Sequence, residues 1–162
     1  MTSTPSRRIL LVTHLWRTDA QELAAGVATR LIAAGVGVSA SRDELVDTPL
    51  ARVPGVLGVD TDTDESAAAG CEPVCVLGGG GTILRGAELS RGSGVPLLGV
   101  NLGHVGFLAE AEREDLDATV ERIVAREYHV EERTTLEVRA EEDGRTVFQS
   151  WALNEVTVEK AS

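Results

Sequence analysis

Aromatic residues, methionine and long apolar runs are all scarce in this sequence of 162 residues. Phenylalanine, tyrosine and tryptophan together make up 3% of the chain, and there is a single methionine. No apolar stretch reaches the roughly 18 residues that a membrane-spanning helix needs. The apolar run after the first arginines is too short for a secretory signal. We therefore expect a cytoplasmic protein.

Basic residues are also few, since 15 lysines and arginines face 26 acidic residues and the net charge is -11. Such an acidic surface repels nucleic acid and anionic lipid at long range. The sequence contains no basic patch that would offset this repulsion. We therefore expect neither a nucleic-acid partner nor a membrane partner.

The two cysteines, Cys71 and Cys75, are too few for a zinc site, which needs about four ligands. A free cysteine packs as a small hydrophobe, so we predict two buried free thiols in or beside a strand. The acidic stretch DTDTDE (60–65) begins like a calcium loop, with Asp60, Asp62 and Asp64 at alternate positions. It lacks the glycine and the glutamate that complete such a loop. We predict a solvated linker there and no metal site.

Continuous apolar runs indicate buried strands in the first part of the chain. RRILLVTH (7–14), VCVLG (74–78) and VPLLGV (95–100) are typical of strands buried on both faces of a parallel sheet. VGVSAS (36–41) is a shorter strand of the same kind, and residues 41–70 between these strands are predicted to be irregular.

Amphipathic segments between these runs predict helices. Thr18 or Asp19 is expected to cap the first helix, which Gly35 ends. Two further helices are predicted, from Thr82 to Ser90 and over residues 112–127. Strands alternating with helices predict an α/β fold, an open and mostly parallel sheet with flanking helices.

The pattern changes near Tyr128, where residues begin to alternate between apolar and polar. Asp143-Gly144 is a strong hairpin turn signal between TTLEVRAEE and RTVFQSWALNEVTVEK. We therefore predict an α/β nucleotide-binding domain over 1–128 and the first strands of a truncated, antiparallel β-rich domain over 129–162. A lone hairpin is marginal in water. We accordingly expect a fragment of a longer protein, the alternative being a hairpin that packs on the α/β unit as an appendage.

The stretch VCVLGGGGT (74–82) raises the main functional hypothesis. A buried strand that enters a glycine-rich turn and then a helix is the layout of a phosphate-binding loop, in which backbone N–H groups meet the anion at the helix N-terminus. The alternative is an ordinary tight turn between strand and helix. The loop matches neither the Walker A motif nor the dinucleotide pattern G-x-G-x-x-G.

Two further stretches carry polar residues beside apolar runs. GVNLGHVGFL (99–108) is a second glycine-spaced turn, with Asn101 and His104 as polar members and Phe107 as an apolar plug. Turns on neighbouring strands are expected to face one crevice. Asn154 and Glu155 interrupt the apolar strand WALNEVTV, either as a buried pair that needs partners or as solvent-facing edge residues.

In this order and spacing, GGGGTILRGAEL, GVNLGHVGFLAE and LNEVTVEK resemble the NAD kinase family of the actinobacterial kind, over nearly the whole chain. The resemblance implies an α/β domain joined to a β-rich domain, with nucleotide bound between them. It implies phosphoryl transfer from ATP, or polyphosphate in some members, to the 2′-hydroxyl of the adenosine ribose of NAD. Magnesium or another divalent cation, and a homodimer or homotetramer, are implied as well.

The family signature is Gly-Gly-Asp-Gly-Thr, which Gly78, Gly79, Gly81 and Thr82 match. Gly80 stands where the family has an aspartate, its proposed general base on the ribose hydroxyl. General-base catalysis typically contributes about 10²–10⁴-fold. The resemblance therefore implies a chain that is weak or inactive as a kinase while its loop still binds phosphate.

The resemblance also assigns binding residues outside the glycine loop. It places Gly81 and Arg85 near the phosphates, and Asn101 and Phe107 in the nucleotide pocket. Asn154 and Glu155 match the pair that holds NAD. His14 and Arg17 match the family's first-strand turn, in which Leu15 and Trp16 replace a threonine and a glycine.

Three alternatives to an NAD kinase of weak or no activity stay open. One is a non-catalytic module that binds NAD or ATP, and another is a non-functional remnant. The third is a sugar or lipid kinase that shares the Gly-Gly-Asp-Gly loop, although the Asn-Glu strand and the NLGHVGFL turn argue against it. The absence of the family's C-terminal half beyond Ser162 adds to the expected loss of activity.

Overall fold

The computed structural model describes residues 6–61, 67–102, 110–153 and 155–159, and of residues 110–114 only the backbone. The chain divides into two compact units, Met1–Tyr128 and His129–Ser162. Each unit is described by itself below.

The first unit contains a five-stranded sheet in which all neighbouring strands are parallel, which confirms the predicted α/β fold. The strand order is β3-β2-β1-β4-β5. Strands β2 and β3 therefore lie on one side of β1, and β4 and β5 lie on the other. The strands are β1 (Arg8–Thr13), β2 (Gly37–Ser41), β3 (Val56–Val59), β4 (Val74–Gly78) and β5 (Leu97–Asn101).

Within the described residues of this unit, the sheet is flanked by the helices α1 (Thr18–Ala33), α2 (Gly80–Arg91) and α3 (Glu110–Ala125). Gly35, with a φ of 82°, follows the end of α1 as predicted. The predicted cap was wrong, because Arg17 is the N-cap residue and makes no side-chain cap bond. Thr18 and Asp19 instead lie inside the first turn, where the Asp19 carboxylate accepts hydrogen bonds from Arg17.

Strand β1 is buried on both faces because alternate side chains point to opposite sides of a strand. Ile9 and Leu11 belong to a core that includes the apolar faces of α1 and α3. Leu10 and Val12 belong to a second core on the other face, against which Ile83 and Leu89 of α2 pack. The continuous apolar run in the sequence therefore corresponds to a strand between two helix layers.

The described part of residues 41–70 contains more secondary structure than predicted. Two short 3₁₀ helices, Asp43–Leu45 and Leu50–Arg52, follow β2, and β3 then pairs with β2 at the edge of the sheet. The prediction missed β3 because its four residues include a glycine and are partly exposed, which leaves no apolar run. Asp62 and Asp64 of the predicted linker lie outside the described residues.

The second unit is an antiparallel hairpin of β6 (Leu136–Glu142) and β7 (Arg145–Ala152). Asp143 and Gly144 form its turn with φ values of 50° and 75°, as expected for a turn with two left-handed residues. The predicted strand through LNEVTVEK was too long, since residues 155–159 are not in a strand. Ala152 pairs with Leu136, the first residue of β6, so β6 has no further residues with which β7 could pair.

Cys71 and Cys75 are free and buried, as predicted. Burial raises the pKa of the Cys75 thiol to about 12, so this thiol stays protonated and unreactive at neutral pH. In the part of the chain that is described, no helix is both long and apolar enough to cross a bilayer.

Candidate functional site

The candidate site lies where the sheet order reverses, at the carboxyl ends of β1 and β4. Open α/β sheets bind ligands at this kind of switch point. The two strands are in register there, since Thr13 pairs with Leu77 and its hydroxyl donates to the Leu77 carbonyl oxygen at 3.4 Å. A cleft of about 400 Å³ opens above them, lined by Thr13, His14, Leu15, Trp16, Arg17, Gly79, Gly80, Gly81, Thr82 and Arg85.

Gly78, the first glycine of the loop, is required by packing. A Cβ atom at this position would lie 2.7 Å from Oγ1 and 2.8 Å from Cβ of Thr82. Thr82 is buried, so it cannot move aside freely. The fold itself therefore explains why residue 78 has no side chain.

Gly79, Gly80 and Gly81 have no such explanation. A Cβ atom at any of the three would meet no described atom within 4 Å. None of them is among the glycines with positive φ, so a side chain would not strain the backbone either. Gly79 and Gly81 line the cleft although the fold does not require glycine there, which leaves close approach of a ligand to the backbone as their physical reason.

Helix α2 begins inside this glycine run, two residues earlier than predicted. Gly79 is its N-cap residue, and its first backbone hydrogen bond runs from the Ile83 N–H to the Gly79 carbonyl oxygen at 3.0 Å. The N–H groups of Gly80, Gly81 and Thr82 therefore precede the helical bonding pattern and have no acceptor within the helix. Together with the positive end of the helix dipole, they make this edge of the cleft suitable for an anion.

Arg85 lies one turn further along α2 and brings a positive charge to the cleft. Its Nη1 donates to Oε1 of Glu44 at 3.2 Å. Oε1 also accepts the Thr13 N–H at 2.9 Å, and Oε2 accepts the Ser41 N–H at 3.3 Å. The Glu44 carboxylate thus joins the ends of β1 and β2 to α2, directly behind the cleft.

Glu44 was missed by sequence reasoning. Burial raises the pKa of its carboxyl, while the hydrogen bond from the Thr13 N–H and the charge of Arg85 act in the opposite direction. In the sequence it stands in RDEL (42–45), directly after two charged residues, a pattern that is typical of a solvated surface. A glutamate just after a buried strand was the available signal.

The turn after β1 forms the opposite wall of the cleft. Arg17 and Asp19 form an ion pair, with Nη2 and Oδ2 2.6 Å apart. The hydrogen bond from Arg17 lowers the pKa of the Asp19 carboxyl, and the bond to Asp19 raises the pKa of Arg17. Both arginines that line the cleft are therefore held by a carboxylate.

The remaining predicted residues are distributed as follows. Asn101 ends β5 and pairs with Gly78 across the sheet, so it lies beside the start of the glycine loop. His104, Phe107 and Asn154 lie outside the described residues. Glu155 belongs to the second unit and is exposed.

The described lining residues do not fit a magnesium ion held by the protein. Magnesium takes oxygen ligands, with one or two carboxylates and the substrate's phosphates as its usual partners in phosphoryl-transfer sites. The ten lining residues named above include no carboxylate. Within the described ranges, no group of three or more histidine, cysteine, aspartate or glutamate residues could hold a metal.

Residues 9–128 match the family model of the ATP-NAD kinase N-terminal domain. The whole chain is 47% identical to NAD kinase 2 of Streptomyces avermitilis, of which it covers 53%. It is 51% identical over 156 residues to the NAD kinase of Leifsonia xyli subsp. xyli, covering 96% of this chain and 51% of that protein. The chain therefore spans about half the length of the curated relatives it matches.

Among solved structures, the fold is similar to that of yeast NADH kinase in a crystal structure with NADH. The TM-score is 0.67, with 94% of this chain and 48% of the yeast chain covered. The sequence identity is 21%, so this likeness concerns the fold alone.

Proposed function

Because the chain belongs to the ATP-NAD kinase family, we propose that it supplies the nucleotide-binding half of an enzyme that phosphorylates NAD. The reaction transfers the terminal phosphoryl group of ATP to the 2′-hydroxyl of the adenosine ribose of NAD and gives NADP. The observation that carries the proposal is the run Gly79–Gly81, which lines an open cleft although the fold requires no glycine there.

Different residues of the cleft bind the phosphates and neutralise their charge during phosphoryl transfer. The N–H groups of Gly80, Gly81 and Thr82 bind phosphate oxygens at the N-terminus of α2, where the dipole favours negative charge. Arg85, held by Glu44, offsets the charge that spreads over the phosphoryl oxygens in the transition state. Phosphoryl transfer depends mainly on such positioning and charge neutralisation.

Gly80 limits the chemistry that this cleft can perform. The attacking 2′-oxygen must lose its proton as its bond to phosphorus forms and the bond to the leaving ADP oxygen breaks. Glycine offers no group that takes this proton, so it leaves to solvent or phosphate without general-base assistance. We expect slow turnover with phosphate binding intact.

The proposal also assigns residues of the second glycine-spaced turn and of the second unit to the binding of NAD. Phe107, Asn154 and Glu155 are assigned to NAD by their match to the family pattern. NAD itself is proposed as the acceptor because the curated relatives are named NAD kinases.

The test joins residues 1–162 to the C-terminal half of the Streptomyces avermitilis relative and measures NADP formation from NAD and ATP. Gly80→Asp is expected to raise the rate at least tenfold, because it restores a general base at a position where a side chain has room. Gly80→Asn, which has the same shape without the charge, is expected to stay at the rate of the parent chimera.

Two results would count against the proposal. An unchanged rate in Gly80→Asp would reject the general-base assignment at this position. Absence of NADP formation in every chimera, beside an active Streptomyces avermitilis enzyme, would leave the chain a non-catalytic module. Calorimetric titration with NAD and ATP then separates a binding module from a chain that binds neither.

A further inference from the structure

The cleft has two walls of different chemistry. One wall consists of the α2 N-terminus with Gly79–Gly81 and the Arg85 guanidinium, and it suits phosphate. The other wall is the turn after β1, where Leu15 and Trp16 are the apolar members. Trp16 is 86% exposed, in a chain that has only two tryptophans.

The turn that carries Trp16 is fixed by its own hydrogen bonds. The Trp16 N–H donates to Nδ1 of His14 at 3.2 Å, and the Arg17 N–H donates to the His14 carbonyl oxygen at 3.5 Å. Gln21 is buried on α1, and its side-chain amide donates to the Leu15 carbonyl oxygen at 2.6 Å. The backbone of the turn is therefore anchored to α1, and Trp16 is an exposed residue of the cleft lining.

An exposed indole beside a phosphate site matches the two ends of a nucleotide. A purine base has an apolar face that stacks on an aromatic side chain, and its phosphates need donors and positive charge. Such stacking changes affinity by about 5- to 150-fold when the aromatic residue is replaced by alanine. Inorganic polyphosphate has no base and gains nothing from the indole.

We propose that Trp16 is the stacking platform for the purine base of the nucleotide whose phosphates bind at Gly79–Gly81. The cleft then selects a nucleoside triphosphate over inorganic polyphosphate as phosphoryl donor. This inference rests on the proposed function, because it takes the glycine run as the phosphate site. It adds the residue that recognises the base of the donor and the discrimination against inorganic polyphosphate that follows from it.

The experiment titrates the 162-residue chain with ATP and, separately, with inorganic tripolyphosphate in a calorimeter. The parent chain is expected to bind ATP more tightly. Trp16→Ala is expected to weaken ATP binding about 5- to 150-fold and to leave tripolyphosphate binding within twofold. Trp16→Phe keeps an aromatic face and is expected to retain most of the ATP affinity.

Fluorescence gives an independent readout from the same residue. Trp151→Phe leaves Trp16 as the only tryptophan and serves as the matched control, since Trp151 lies on β7 in the second unit. ATP is expected to quench the Trp16 emission of this variant, whereas tripolyphosphate leaves it unchanged.

The outcomes separate the two proposals. Equal affinity of Trp16→Ala and the parent chain for ATP would overturn the stacking assignment and leave the phosphate site standing. Equal losses for ATP and tripolyphosphate would overturn it as well, because the indole would then support the site without reading the base. Failure of the parent chain to bind either ligand would overturn the phosphate site, and the stacking assignment with it.

Discussion

Arg85 and Glu44 form an ion pair across the boundary between cleft and core, with Nη1 and Oε1 3.2 Å apart. The Glu44 side chain is 1% exposed and that of Arg85 is 30% exposed. A buried carboxylate pays a large desolvation cost, which its hydrogen bonds and its charge partner have to offset. Glu44 accepts from two backbone N–H groups as well as from Arg85, so it fixes the guanidinium against two strand ends.

Replacing this carboxylate by an amide is expected to destabilise the fold. In Glu44→Gln, one accepting oxygen becomes an NH₂ group, so the N–H of either Thr13 or Ser41 loses its acceptor in a buried place. The expected loss is about 1–3 kcal/mol in the free energy of unfolding, measured by chemical denaturation. Glu88→Gln on the exposed side of α2 is the matched control, expected within about 0.5 kcal/mol of the parent chain.

The stability difference between the parent chain and Glu44→Gln is also expected to depend on pH, with a defined sign. Burial raises the pKa of Glu44 above its ordinary value of 4.5. A raised pKa in the folded state means that the stability contributed by this group is complete below the unfolded pKa and is lost as pH rises through the folded pKa. The stability difference between the parent chain and Glu44→Gln should therefore fall as pH rises above about 4.5. A difference that stays level with pH would contradict the raised pKa.

Two Gly→Ala substitutions are expected to have opposite effects. At Gly86 of α2, an added Cβ would overlap Cγ2 of Val76 and lie 3.0 Å from Cδ1 of Leu97. Gly86→Ala should therefore push α2 off the sheet and cost about 1–3 kcal/mol. At Gly26 of α1, an added Cβ would meet no described atom within 4 Å, so Gly26→Ala should gain about 0.5–1 kcal/mol. Thermal unfolding of the two variants checks both signs, and equal effects would contradict the packing of α2.

Arg7 is expected to hold the end of α3 in place. Its Nη1 and Nη2 donate to the carbonyl oxygens of Val124 and Ile123 at 2.8 and 2.9 Å, and its Nε donates to Glu72. Arg7→Lys replaces this fork by a point donor, with an expected loss of about 1–3 kcal/mol and faster hydrogen exchange in the last turn of α3. Arg52→Lys, at an exposed position, is the control. Unchanged exchange in α3 would show that the helix end does not depend on Arg7.

The sequence was sufficient to predict those parts of the fold in which local pattern and tertiary packing agree. The apolar run of β1 predicted a strand buried on both faces. The structure agrees, because helices cover both sides of that strand. Asp143-Gly144 predicted the hairpin because its turn needs two residues that tolerate positive φ.

The features that were missed depend on distant neighbours. Glu44 is buried only because the ends of β1 and β2 and Arg85 converge on it, and a charged RDEL segment gives no sign of that. Strand β3 is held at the sheet edge by pairing with β2, whereas its own four residues carry little apolar pattern. Helix α2 starts at Gly80 against the low helix propensity of glycine, since its packing on the sheet determines where it begins.

A carboxylate at residue 80 is expected to stabilise the chain and to weaken its binding of anions. Gly80→Asp places a negative charge in the first turn of α2, where the helix dipole favours it by about 0.3–1 kcal/mol. A Cβ atom there meets no described atom within 4 Å, so no clash opposes the gain. The same charge repels a phosphate at the helix N-terminus by about 1 kcal/mol even in water, which corresponds to about fivefold in affinity.

Tripolyphosphate titration and thermal unfolding of the 162-residue chain measure the two effects together. Gly80→Asn is the control, because its side chain fills the same space without the charge. It should leave anion affinity within about twofold of the parent chain, which is a smaller change than the fivefold loss expected from the carboxylate. If Gly80→Asp bound the anion as tightly as Gly80→Asn, the phosphate would have to lie away from residue 80. The N–H groups at the start of α2 would then not be the ones that hold it.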